Sequence, residues 1–207
     1  MKDIAISAIV PAYNEANNIL RVIQDLSQID FLSEIIVIDD GSTDQTLKLL
    51  LNSAMANRVK VICNDANRGK GFSVARGLEI ARGKLVVLLD ADISNYTEND
   101  LGLLVRPIVD NECDYTLKLT DDRITKFSSG IRAYWSKDLS PLVEQMKRTT
   151  RYGLEVFLNN KLSHKNGRFI LLTDYKHPQK FHKYPLPKAV WEYAKQGASI
   201  LVQILKQ

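Results

Sequence analysis

Cysteine is scarce in this chain: Cys63 and Cys113 are the only two among 207 residues. Neither has the spacing of a metal site, so both are expected to be buried, reduced core residues of a cytoplasmic protein. Long apolar runs are missing too. No stretch approaches the ~20 apolar residues that a membrane-crossing helix needs. The first residues hold one lysine, Asp3 and a short apolar run stopped by Pro11, which reads as a strand and not as a signal peptide. There is no low-complexity tract and no internal repeat. Excess charge is modest: the net charge is +4 and the pI about 9.0. That balance suits an anionic substrate or an anionic membrane surface and does not by itself indicate nucleic acid.

What is present is an ordinary globular composition, 45% apolar and 25% charged, in a chain long enough for one domain with a sizeable core. The first half alternates two periods. Ile4–Val10, Ile35–Ile38, Val59–Ile62 and Leu85–Leu89 are short apolar runs of strand type. Between them, Ile19, Leu20, Val22, Ile23 and Leu26 follow helical spacing, as do Leu47, Leu50, Leu51 and Ala54, and then Val74, Leu78 and Ala81. Ser42 and Gln45 have the spacing of a capping box for the second helix, and Thr97 and Asp100 open a fourth with Leu101, Leu104, Val105 and Ile108 on one face. Repeated βα units predict an α/β fold, a single-domain, doubly wound and mostly parallel sheet.

The second half is less regular. Tyr115–Leu119 and Phe169–Thr173 read as strands, and Pro141–Met146 and Gly153–Asn159 as short helices. The chain divides into a nucleotide-binding half (1–113), an acceptor half (114–186) and an amphipathic helix (187–207) within one domain. In that last helix Val190, Ala194, Leu201, Ile204 and Leu205 share one side, accompanied by Lys188, Lys195 and Lys206. Such a helix either packs on the sheet or makes peripheral contact with a membrane.

Four strand ends carry unusual chemistry. Asp90-Ala91-Asp92 closes the apolar run Leu85–Leu89, and two carboxylates so placed repel each other unless a cation joins them. Oxygen ligands of this kind suit Mg²⁺ or Mn²⁺, which also takes substrate phosphates. After the first strand, Pro11-Ala12-Tyr13-Asn14-Glu15 offers a flat aromatic face suited to stacking on a base. Asp39-Asp40-Gly41-Ser42-Thr43-Asp44 sets adjacent acids where a nucleobase N–H or ribose hydroxyls would satisfy them. Asn67-Arg68-Gly69-Lys70-Gly71 precedes a helix, where Lys70, the glycines and the helix N-terminus favour an anion. It is neither a Walker-type phosphate loop nor a Gly-x-Gly-x-x-Gly fingerprint. Each loop alone would pass for ordinary turn chemistry; four strand ends converging on one ligand do not. The C-terminal edge of an open α/β sheet is where ligands bind.

In order and spacing, these four segments resemble family 2 glycosyltransferases of the A-type fold, nearest to the dolichyl- and polyprenyl-phosphate sugar synthases. The resemblance covers residues 4 to about 110 and is fragmentary beyond. It implies a nucleotide-sugar donor, UDP- or GDP-linked, and a divalent metal. It implies that Pro11, Tyr13, Glu15 and Asp40 hold the nucleoside, that Asp90 contacts ribose or sugar, and that Asp92 binds the metal on the diphosphate. Ser128-Ser129-Gly130-Ile131-Arg132-Ala133 resembles the segment near the acceptor phosphate, which makes Ser129 and Arg132 acceptor residues. Arg151-Tyr152-Gly153-Leu154-Glu155 resembles the opening of the acceptor-side helix, where Glu155 is either a base or a solvated helix residue. A late histidine completes the metal shell in related folds, and His177 is the choice over His182.

The chain also departs from the pattern. Between the strand at Tyr115 and the Ser-Gly segment only Thr120–Phe127 remain, a shortened stretch with Arg123 and Lys126. Ser94 stands where the lipid-phosphate branch often has Gln, and no transmembrane tail of that branch's kind is expected from residues 187–207.

The reaction implied is metal-dependent transfer of a sugar from its nucleotide diphosphate to an acceptor, with inversion as the family's habit. A cation at Asp92 and Lys70, or a basic residue of Lys176–Lys183, would stabilise the leaving diphosphate. An acceptor hydroxyl needs a base such as Glu155, whereas a lipid phosphate is already ionised. Two alternatives are a catalytically degenerate nucleotide-sugar binding module and a sugar nucleotidyltransferase. The latter class prefers a glycine-rich basic loop after the first strand, which Pro11–Glu15 is not.

Overall fold

The computed structural model describes residues 4–52, 58–119, 129–150 and 153–172. Seven strands form one sheet. In chain order the elements are β1 (Ile6–Ala12), α1 (Ile19–Ser27), β2 (Glu34–Asp39), α2 (Thr46–Asn52), β3 (Val59–Cys63), α3 (Lys70–Ile80), β4 (Leu85–Leu88) and α4 (Glu98–Val109). There follow β5 (Tyr115–Lys118), β6 (Arg132–Trp135), α5 (Ser136–Leu139), a 3₁₀ turn (Ser140–Leu142), α6 (Val143–Met146), α7 (Leu154–Lys161) and β7 (Gly167–Ile170). The strand order is β3-β2-β1-β4-β6-β5-β7. All pairings are parallel except those of β6, which runs antiparallel to both β4 and β5.

The apolar runs are continuous because the central strands are buried on both faces. Alternate residues feed two cores. Ile6, Ala8 and Val10 of β1, with Ile35, Val37, Leu85 and Val87, pack against α1 and α4 through Val22, Leu26, Leu101 and Val105. Ile9, Ile36, Ile38, Val86 and Leu88 pack the other way, against Val74 and Leu78 of α3 and Phe157 and Leu158 of α7. Helices on both faces of a mostly parallel sheet are the predicted doubly wound architecture.

The first-half elements fall where the periodicity places them, and the Thr97–Asp100 capping box is present in full. The Ser42–Gln45 box is not. The side chain of Asp44 takes the N–H of Thr46 at 2.8 Å instead, while Ser42 Oγ accepts from Asn14 N at 3.0 Å. A carboxylate two residues nearer the helix outcompetes the serine, which is drawn into the neighbouring loop. β7 runs from Gly167 to Ile170, starting two residues before the predicted strand and overlapping it at Phe169 and Ile170. β6 was not anticipated: Arg132–Trp135 opens on a buried arginine, which breaks the apolar run that would announce a strand. Cys113 is buried, but Cys63 ends the outer strand β3 and is exposed, contrary to the expectation for both thiols. Among the described residues no helix is long and apolar enough to cross a membrane. The helix expected over 187–207 lies outside the described residues.

Candidate active site

β1, β2 and β4 all end at one edge of the sheet, so the Tyr13, Asp39–Asp40 and Asp90–Asp92 segments meet there. The first two are laced together. Asp40 N donates to Ala12 O at 2.8 Å, Thr43 N to Asn14 Oδ1 at 2.8 Å, and Glu15 N to Thr46 Oγ1 at 2.8 Å. Asn14 adopts a φ of +56°, a conformation asparagine tolerates better than most side chains. Pro11, within β1, is partly buried; Tyr13 beyond it is 41% exposed. Glu15 is buried beside the first turn of α1, where its carboxylate accepts from Asn18 Nδ2 at 3.0 Å.

Asp40 does not face outward. Its two oxygens accept from Asn64 Nδ2 (2.7 Å), Arg68 N (2.9 Å) and Gly69 N (2.8 Å), so it anchors the loop that leads into α3. Gly69 there has φ +94°, which only glycine adopts without strain. Asp39 Oδ2 accepts from Ser42 N at 3.1 Å, while its buried Oδ1 has no hydrogen-bond partner among the described residues. Asp44 holds the same loop, accepting from Thr46 and Ala16. Burial opposes its charge, but those hydrogen bonds outweigh burial and lower its pKa.

The centre of the site is an ion bridge. Lys70 Nζ, on the first turn of α3, lies 2.6 Å from Asp90 Oδ1 and 2.8 Å from Glu155 Oε1. Burial disfavours the ammonium, yet the two carboxylates outweigh it and hold the Lys70 pKa above its ordinary value. Gly130 packs directly on this bridge: a Cβ there would collide with both Asp90 oxygens and with Lys70 Nζ. Tyr96 donates to Asp90 O at 3.0 Å, fixing the strand end. Asp92 sits in the turn just beyond, partly exposed on the same edge.

Behind the bridge lies Arg132, 1% exposed. Its Nε donates to Ser129 O (2.6 Å), and its Nη1 to Asn159 Oδ1 (2.7 Å) and Tyr134 Oη (3.2 Å). Burial opposes the guanidinium charge; the Tyr134 and Glu155 oxygens favour it and raise its pKa further. Burial likewise raises the Tyr134 phenol.

The structure therefore gathers Lys70, Asp90, Glu155, Ser129 and Arg132 from four separate parts of the chain. Lys70, expected to face a phosphate, is held by two carboxylates. Glu155 is 8% exposed and ion-paired, not a solvated helix residue. Arg132 and Ser129 are buried, with the guanidinium directed into the fold instead of toward an open acceptor side. His177 and the Lys176–Lys183 cluster lie outside the described residues. Sequence reasoning missed the roles of Gly130, Asn64 and Asn159. Asn159 did carry a signal, since it follows Glu155 by four residues and so shares its helix face. Among the described residues no three His, Cys, Asp or Glu side chains cluster as a metal site. The donor set at this edge is carboxylate oxygen only, chemistry that fits a hard divalent ion sharing its shell with phosphate oxygens.

This fold is the A-type glycosyltransferase fold. It superposes on glucosyl-3-phosphoglycerate synthase of Mycobacterium tuberculosis in complex with Mn²⁺, UDP and phosphoglyceric acid with a TM-score of 0.76 at 21% identity, covering 98% of this chain and 78% of that one. The Mg²⁺ and UDP complex of the same enzyme gives 0.75. Residues 7–174 match Glycosyl transferase family 2, and the chain belongs to that family. Among its relatives is the dolichyl-phosphate beta-glucosyltransferase of Dictyostelium discoideum, 36% identical over 102 residues, 44% of this chain and 31% of that one. The undecaprenyl-phosphate 4-deoxy-4-formamido-L-arabinose transferase of Proteus mirabilis is 34% identical over 99 residues, 45% of this chain and 30% of that one. The matched stretches thus span about a third of these relatives' own length.

Proposed function

We propose that this chain transfers a sugar from a nucleotide diphosphate to a phosphate-bearing acceptor, a polyprenyl phosphate above all. The observation that carries this reading is the Asp90–Lys70–Glu155 bridge on the ligand-binding edge of the sheet, flanked by Asp92 and by the exposed Tyr13 ring. Tyr13 provides a stacking face for the base, and the laced Asn14–Thr46 loops hold that face in place before any ligand arrives. Asp90 presents a carboxylate to sugar or ribose hydroxyls. Lys70, at the first turn of α3, holds a positive charge beside the point where the leaving diphosphate gains negative charge. A divalent ion held by Asp92 would supply further neutralisation of that charge. An acceptor phosphate is ionised at neutral pH, so Glu155 need not leave Lys70 to act as its base. Two of the relatives are named for polyprenyl-phosphate acceptors, which supports the acceptor class. Peripheral contact of residues 187–207 with an anionic membrane belongs to the same reading.

Calorimetry with UDP and GDP, with Mn²⁺ or with chelator, tests the donor and metal assignments. Binding that needs Mn²⁺ and is lost in Asp92→Asn supports them; chelator-independent binding at wild-type strength removes the metal. Turnover of UDP- and GDP-sugars with polyprenyl phosphate tests the reaction. Donor binding without turnover of any sugar would leave a nucleotide-sugar binding module.

A further inference from the structure

We propose that Arg132 is the positioning residue of this site: it fixes, from behind, the two walls between which Lys70 is held. One wall is the Ser129–Gly130 turn, which Arg132 grips through Ser129 O at 2.6 Å. Gly130 of that turn packs on both Asp90 and Lys70. The other wall is α7, which Arg132 grips through Asn159 Oδ1 at 2.7 Å. Asn159 lies one helical turn beyond Glu155, so the register that satisfies Asn159 also carries Glu155 to within 2.8 Å of Lys70. A guanidinium suits this work because its donors lie in a fixed plane, whereas a lysine offers one point charge on a flexible stem. With 1% exposure the group presents no surface to an acceptor. The turn and α7 are far apart in sequence, and α7 has no side-chain cap of its own. Arg132 is thus a tie between two parts of the site that backbone pairing does not join.

The kinetic consequence rests on the sugar transfer proposed above; the placement of Lys70 does not. The test uses Arg132→Lys, Asn159→Ala and the double variant in the full chain, with two readouts. The first is the side-chain ¹⁵N–¹H signal of the Lys70 ammonium, identified by its loss in Lys70→Met. It should shift or broaden in Arg132→Lys and in Asn159→Ala, as in Glu155→Gln. The second is turnover. Each single variant should lower kcat between about ten-fold and a hundred-fold, the scale on which small misplacements of a site act. The KM for the acceptor should stay near the wild-type value, and the double variant should be no worse than the worse single. If Arg132→Lys does not fold, Asn159→Ala alone decides. A folded variant with an unchanged Lys70 signal would overturn the proposal. So would a rise confined to acceptor KM in Arg132→Lys with Asn159→Ala silent, which would return Arg132 to the acceptor. If the wild type turns over no nucleotide sugar, the transferase reading fails while the Lys70 signal still decides the placement.

Discussion

Lys70 and Glu155 are 85 positions apart in the chain and meet at 2.8 Å. Lys70 opens the helix that follows the third strand; Glu155 sits in a short helix near the end of the described chain. Their contact joins the half of the molecule that carries the nucleotide-binding loops to the half that carries the acceptor-side segments, both within the family match over residues 7–174.

Removing the cation should be worse than removing either anion. Lys70→Met leaves two carboxylates facing each other with side chains only 21% and 11% exposed. Two like charges at this partial burial, without the cation between them, are expected to cost about 1–3 kcal/mol, below the 3–5 of a fully buried site. Urea denaturation should show that loss for Lys70→Met, a smaller one for Glu155→Gln, and recovery when Asp90→Asn is added to Lys70→Met.

Asp40→Ala should destabilise the protein as well as weaken nucleotide binding. Three donors, Asn64 Nδ2, Arg68 N and Gly69 N, lose their acceptor together. Asn64 Nδ2 keeps Ser73 Oγ at 3.0 Å, so the two amides dominate, and at about 1–3 kcal/mol for each unpaired donor a total of roughly 2–6 kcal/mol is expected in denaturation. A variant of wild-type stability with weakened UDP or GDP affinity would assign Asp40 to the ligand instead of the loop.

Stability should fall in acid through Glu34. This carboxylate accepts from Ser7 Oγ, Lys60 Nζ and Arg82 N, each at 2.6 Å. Burial pushes its pKa up, but these partners outweigh burial, and the pKa lies below its ordinary 4.5. The folded state therefore holds the proton less tightly than the unfolded chain. The contribution is complete above the unfolded pKa and is lost as pH falls through the lower folded value. Melting temperatures from pH 7 to pH 3 should show a drop beginning near pH 4.5, with a shallower drop in Glu34→Gln.

Gly130→Ala tests how closely the bridge is packed. The added methyl would meet the Asp90 carboxylate and the end of the Lys70 side chain, which must shift to admit it. Because side-chain ends can move, the cost to stability is expected at the low end of overpacking, about 1 kcal/mol. The larger effect should be on the ligand: nucleotide-sugar binding should weaken by calorimetry even at temperatures where the variant is fully folded.

The first half of the fold was legible because each of its elements declares itself locally. Four apolar runs, each closed by a loop of acids, glycines or a proline, give the parallel strands and the edge where they end. Legibility stopped where meaning depended on distant partners. Asp40 reads as a ligand residue because adjacent acids at a strand end look unsatisfied, yet its partners are Asn64 and two backbone amides in the following loop. Arg132 reads as an acceptor residue because its segment, Ser128–Ala133, resembles the family's segment near the acceptor phosphate. Its real surroundings are set by β6, whose antiparallel insertion between β4 and β5 no local pattern announces. Glu155 could be read two ways until the fold brought Lys70 to it.

The reversed direction of β6 has a further effect on how such a protein can change. β5 ends, and β6 begins, on the same side of the sheet as Asp90. The connection between them therefore departs from and returns to the border of the ligand site, while both strands keep their register. The ladder bonds of β5 and β6 lie within Tyr115–Lys118 and Arg132–Trp135, outside that connection. If this border takes the acceptor, as proposed, a change of length between the two strands alters that side of the site and leaves β1, β2 and β4, which carry the other loops, in place.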